Sequence, residues 1–153
     1  MNDTFWWTQA AAEVRVASAD SAIPMLRALP PTGLIYSARM KGREMRDSDG
    51  VFTQFCEALR LPDYFGWNWP ALRDCLRDLH WIDAKHFLLT IDDADAVLSE
   101  SPEEREILFR ALNDAAKHWA VQPELPGQEK ASFDAVLLCP PEVEEELRRE
   151  LRA

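Results

Sequence analysis

Three apolar runs of strand length, separated by helical segments, constrain this chain more than any other feature. Gly33 to Met40 carries Leu34, Ile35 and Tyr36, Phe87 to Ile91 is an apolar run, and Phe133 to Cys139 is the last of the three. A strand that is apolar along its length, rather than at alternate positions, is buried on both faces, and parallel strands need the long crossover that intervening helices supply. The order strand, two helices, strand, two helices, strand therefore predicts a small α/β domain, a three-stranded parallel sheet covered by helices.

The helices are marked by caps and phase. Asp47 or Ser48 can cap a helix whose Val51, Phe52, Phe55, Cys56 and Leu59 make one face, ending at Pro62. Asn68 caps the next, where Leu72, Cys75, Leu76 and Leu79 fall at i, i+3, i+4 and i+7. The acidic segment Asp92 to Asp95 reads as the cap of a short helix through Ala96, Val97 and Leu98. Ser101-Pro102-Glu103-Glu104 starts a long helix with Leu108, Ala111, Leu112, Ala115 and Trp119 on its apolar face. Pro123 to Gly127 is a loop, and the acidic tail from Glu142 is a charged, partly solvated helix. Ahead of the sheet, residues 1–31 form an extension packed on or flanking the domain. It holds Phe5, Trp6 and Trp7, a possible strand at Val14 to Ala17 and a helical run from Ser21 to Leu29, and Pro30-Pro31 closes it. The domain proper is 32–140, with the charged helix at 141–153.

With 153 residues, 47% of them apolar, the chain can bury one sizeable core. Its formal net charge is -10, and residues 62–153 carry all of that excess, with 20 acidic against 10 basic side chains. Such a balance opposes binding to nucleic acid or an anionic membrane and favours a basic partner. Cys56, Cys75 and Cys139 lack metal or redox spacing and sit among apolar neighbours, as reduced structural thiols do. The first residues show no basic segment ahead of an apolar core, so a cytoplasmic protein is expected; when free it is expected to be a monomer.

Several constellations admit a chemical reading. Asp92, Asp93 and Asp95 at a strand end resemble the magnesium-holding carboxylates of a phosphohydrolase, yet no glycine-rich phosphate loop accompanies them. His80, His86 and His118 lie at no ligand spacing, so neither metal nor cofactor is expected. Arg39, Lys41, Arg43 and Arg46 form a basic loop without interleaved aromatics, which reads as solvated charge. The segment Leu61 to Leu76, LPDYFGWNWPALRDCL, is different. Tyr64, Phe65, Trp67 and Trp69 cluster around Gly66 and the helix start, more rings than packing requires, and the helix phase turns Asp74 outward beside Arg73, Arg77 and Asp78. The plain alternative for Asp74 is a solvated carboxylate paired with Arg73 or Arg77.

This block resembles the signature of the barstar family, intracellular inhibitors of the ribonuclease barnase and its relatives. The resemblance rests on Leu61-Pro62, Tyr64, Phe65, Gly66, Asn68, Ala71-Leu72 and Asp74-Cys75-Leu76 in one ungapped stretch, and it extends over approximately Gly33 to Cys139. It implies a three-stranded parallel sheet and a protein that binds without doing chemistry. The loop and helix would plug the active site of a basic ribonuclease, with an acidic side chain standing in for the substrate phosphate. Asp74 falls on that acidic position, Tyr64, Gly66, Asn68 and Trp69 on contact positions, and Asp114 on a second acidic contact from the long helix. Trp67, Pro70, Arg73, Arg77 and Asp78 complete the face expected to meet a partner. Pro70 stands where the family's founding member has a second acidic contact, Arg73 replaces a tryptophan and Leu79 another aromatic, so the expected target is a different ribonuclease or a toxin with a similarly basic cleft. An interaction module that regulates a non-nuclease basic protein is the alternative.

Overall fold

The computed structural model describes residues 14–18, 35–121 and 131–152, so Phe5, Trp6 and Trp7, the run Ser21 to Leu29 and the loop Pro123 to Gly127 lie outside the described residues. The three apolar runs form β2 (Ile35–Lys41), β3 (His86–Asp92) and β4 (Ser132–Leu138), all paired in parallel. The expectation of three strands is corrected to four. Strand β1 (Val14–Ala17) joins the free edge of β4, giving the order β1-β4-β3-β2. The physical reason is that β4 is buried at every position, so an unpaired edge there would strand backbone N–H and C=O groups away from water. Arg15 of β1 also forms an ion pair, 3.3 Å long, with the fully buried Asp134 of β4. Part of the segment 1–31 is thus a strand of the sheet. Strand β2 takes the other edge, and its exposed Ser37, Arg39 and Lys41 alternate with buried Ala38 and Met40. It is half buried, where a buried strand was expected.

Helices α1 (Ser48–Leu59) and α2 (Trp69–Asp78) connect β2 to β3. Asp47 is the cap of α1, accepting the Gly50 N–H at 2.8 Å. Val51, Phe52, Phe55 and Leu59 make the buried face of α1, and Leu72, Cys75 and Leu76 that of α2. Both helices end in a left-handed residue, Arg60 (φ 52°) and Leu79 (φ 51°). Each also has a late carbonyl taken by an indole: Trp81 donates to Leu59 at 2.8 Å and Trp119 to Leu76 at 3.0 Å.

Helix α3 (Pro102–Ala120) packs against α2 and β4, burying Leu108, Ala111, Leu112, Ala115 and Trp119 as its phase predicts. Ser101 makes no side-chain cap hydrogen bond; its carbonyl accepts from Glu104 N–H at 2.9 Å instead. The Asp92 to Asp95 segment is likewise no cap, and the short helix expected there is a single 3-10 turn, Ala94–Ala96. Asp92 is bound by both Nε and Nη2 of Arg39, at 2.6 and 2.8 Å, and Asp93 pairs with Arg43 at 3.3 Å. Charged partners from the adjoining strand and 3-10 turn outcompete a local cap. Gly42 makes this contact possible, since a Cβ there would lie 2.2 Å from the Asp93 carbonyl oxygen. Helix α4 (Glu144–Arg152) buries Leu147 and is otherwise largely solvated, and Arg148 donates to the Val16 carbonyl at 3.1 Å. Among the described residues no helix is long and apolar enough to cross a membrane. The main core, built on Phe55, Phe87, Phe133, Leu76 and Leu89, lies between the sheet and α1, α2 and α3, so the outer face of α2 is held on a rigid base.

Candidate functional site

The approach to α2 is organised by one side chain. Asn68 Oδ1 accepts the Ala71 N–H at 2.8 Å while its Nδ2 donates to the Gly66 carbonyl at 2.9 Å. The amide therefore ties the loop to the first turn of the helix, and a Cβ on Gly66 would come within 2.8 Å of that Nδ2. The tie shapes the surface at both residues, which remain exposed. The aromatic cluster divides by burial: Phe65 is in the core, Trp69 is half buried with its ring 5.0 Å from that of Phe52, and Trp67 and Tyr64 face solvent at 45% and 67% exposure.

Asp74 projects from the middle of α2 with its side chain 74% exposed, accepting a hydrogen bond from Arg77 Nη2 at 2.9 Å. From the adjacent position, Arg73 reaches across to α3 and meets Asp114 at 3.6 Å. Between the two helices runs an open groove of about 300 Å³, in which Pro70, Ile107 and Ala111 supply apolar lining and Arg110 adds a third arginine. Trp69, Pro70, Arg73, Asp74, Arg77 and Asp114 are thus brought together around this groove. Asp78 stands apart, turned to His80 Nδ1 at 2.9 Å.

The family model described as Barstar (barnase inhibitor) matches residues 35–138, from the first residue of β2 to the last of β4. The chain belongs to the barstar family. None of the curated proteins matches it. The match leaves out β1 and α4, so the fourth strand and the tail helix lie beyond the part shared with the barstar model.

Within the barstar frame the charge at this surface is balanced rather than bare. Arg77 holds Asp74, Arg73 holds Asp114, and Arg110 holds Glu106 at 2.6 Å. Leu79, where the founding member carries an aromatic contact, is 1% exposed and serves as the left-handed cap of α2. Asp49, Ile107 and Arg110 were not legible as site residues. Ile107 lies four residues before Ala111, at the flank of the buried face of α3, and is 39% exposed. Asp49 carries no signal in the sequence, because it accepts the indole N–H of Trp67, eighteen residues on, through the tertiary fold. The Cys75 thiol is pushed up by burial first and by Asp78 and Asp74 next, which makes it a poor nucleophile. Of the three carboxylates a phosphohydrolase would use, Asp92 and Asp93 are bound by Arg39 and Arg43, and among the described residues no group of three or more His, Cys, Asp and Glu is placed to hold a metal ion.

Proposed function

We propose that this protein is an inhibitor of the immunity type, which binds a basic ribonuclease or ribonuclease-like toxin in the cytoplasm and occludes its active site. The observation that carries the reading is Asp74, a carboxylate exposed at the centre of a helix whose opposite face is locked into the core by Leu72, Cys75 and Leu76. Ribonuclease clefts gather Arg, Lys and His around a phosphate, so a rigidly presented carboxylate can take the place of that phosphate. Tyr64 and Trp67, exposed in the loop that leads into this helix, supply aromatic area of the residue types that dominate binding energy at interfaces. Residues 62–153, with their acidic excess, would steer the encounter. The test is a pull-down from the producing cell followed by RNA cleavage with and without the protein. Stoichiometric loss of cleavage is expected, and a pull-down that yields no nuclease bound or inhibited ends the reading.

A second reading is favoured by one observation, the pairing of Asp74 and Asp114 with arginines of the same surface. A mosaic of both signs suits a partner that is basic overall but is not a phosphate-binding cleft. Capture of a stable partner without nuclease activity would select this interaction-module reading.

A further inference from the structure

We infer that Asp49, outside the loop and helix expected to meet a partner, is the positioning residue that presets Trp67 as an anchor for that partner. The inference rests on the reading of this surface as the binding face. Trp67 has φ 54°, a left-handed backbone that bulky L-residues rarely adopt. Such a conformation persists only where its surroundings hold it. Here two contacts do so. The indole Nε1 donates to Asp49 Oδ1 at 2.6 Å, and the ring packs against Phe52 and Phe65 with centroids 5.9 and 5.7 Å away.

Asp49 lies in the first turn of α1, whose Phe52 and Phe55 are buried in the core, so the acceptor is fixed to a helix anchored in that core. Trp67 stays 45% exposed although its one side-chain donor is engaged and its backbone is set. That combination is what an aromatic anchor needs: large apolar area with little conformational freedom left to lose on binding. Without the Asp49 contact the loop would sample right-handed and extended backbones, and only the competent fraction would bind, reducing the apparent affinity by that fraction.

Asp49 also sits at the positive end of α1, so its removal has an effect unrelated to Trp67. Asp49→Asn and Asp49→Ala lose the same helix-end charge, but only Asp49→Ala loses the acceptor, and the difference between them isolates the hydrogen bond. The first measurement needs no partner: the indole N–H resonance of Trp67 in the free protein, with its solvent exchange. It is expected to be shifted and protected in the native protein and in Asp49→Asn, and to move to the free-indole position in Asp49→Ala. The second is affinity for the ribonuclease captured by pull-down. Asp49→Ala and Trp67→Phe should each weaken binding about tenfold and their combination no more than either alone, while Asp49→Asn stays within about threefold.

An unmoved indole resonance in Asp49→Ala overturns the inference, as does unchanged affinity or an additive double variant. Loss of affinity in Asp74→Ala with none in Asp49→Ala would overturn it and leave the reading of the surface standing. Loss in Asp49→Ala with none in Asp74→Ala would uphold it and remove the role given to Asp74.

Discussion

Replacing Trp119 by Phe tests how the helix that carries Asp74 is held. Trp119 is 8% exposed, its indole donates to the Leu76 carbonyl at 3.0 Å, and its ring lies 5.2 Å from that of Phe87. Leu76 lies in the last turn of α2, where no intrahelical N–H reaches the carbonyl. A phenyl ring keeps the apolar contact and leaves that oxygen buried without a donor, at a cost of about 1–3 kcal/mol. The smaller ring also leaves a void of about 40 Å³, which adds about 1 kcal/mol at about 24 cal/mol per Å³. The expected loss is therefore about 2–4 kcal/mol, or about 2–4 °C in Tm for each kcal/mol in a chain of this size. Trp81→Phe is the control. That indole makes the same kind of bond to Leu59 O, but Trp81 is only half buried, so water can replace it and the loss should stay near 1 kcal/mol. Urea denaturation followed by far-ultraviolet circular dichroism measures both. Equal losses in the two variants would refute the argument that a stranded buried carbonyl decides the difference.

Asn68→Ala removes a helix cap and the tie to Gly66 together, and should cost about 1–2 kcal/mol by urea denaturation, with Gly66→Ala acting on the same contact. A loss below that of a neutral surface change would show that the loop holds itself. Asp74→Ala should weaken the complex by about 2–5 kcal/mol, a range drawn in part from the barnase–barstar interface itself, whereas Glu145→Ala on α4 should stay near zero; equal small losses by calorimetry would move the contact elsewhere. The thiols of Cys75 and Cys139 are both pushed up, burial being the first cause in each. The folded state thus holds these protons more tightly than the unfolded chain, so their contribution to stability is full below the unfolded thiol pKa and is lost as pH rises through the folded value. Native protein at pH 8 should react with a thiol reagent far more slowly than protein in urea, and equal rates would contradict the burial argument.

The elements that could be read from the chain are those whose cause is local. Asp47 and Asn68 cap their helices because the acceptor and the N–H it satisfies lie three residues apart, and the phase of Leu72, Cys75 and Leu76 alone turns Asp74 outward. What escaped depends on neighbours distant in sequence. The possible strand at Val14–Ala17 is a strand with those bounds, but its place in the sheet was not legible, because it is set by the edge of β4 and by Asp134, more than a hundred residues away. Asp92 and Asp93 lost their expected capping role to Arg39 and Arg43 on the adjoining strand and turn. At the site the Asp74–Arg77 pair was legible as an i, i+3 spacing. The Arg73–Asp114 bridge required the packing of α2 on α3, and the Asp49–Trp67 bond required a left-handed residue that no pattern announces.

The arginines bear on what the surface can recognise, and Arg77→Met separates the alternatives. In the free protein the Arg77–Asp74 pair is exposed enough that its loss should cost no more than about 1 kcal/mol. In a complex its effect depends on the partner. If Asp74 enters a cluster of cations, Arg77 brings a like charge to within a few ångströms of them, and two such charges about 4 Å apart repel by about 1 kcal/mol even in water. Removing Arg77 then raises affinity about threefold to tenfold, because the carboxylate is freed and the repulsion goes with it. If the partner instead sets a carboxylate against the groove, Arg77 and Arg73 are contacts, and Arg77→Met lowers affinity. Raising the salt concentration should shrink the gain in the first case, since the repulsion removed was itself screened. A salt-sensitive gain supports occlusion of a basic cleft. A loss of affinity would refute a purely cationic target and make the departures of this chain from the barstar pattern, Pro70 and Arg73, part of a surface built for a partner of mixed charge.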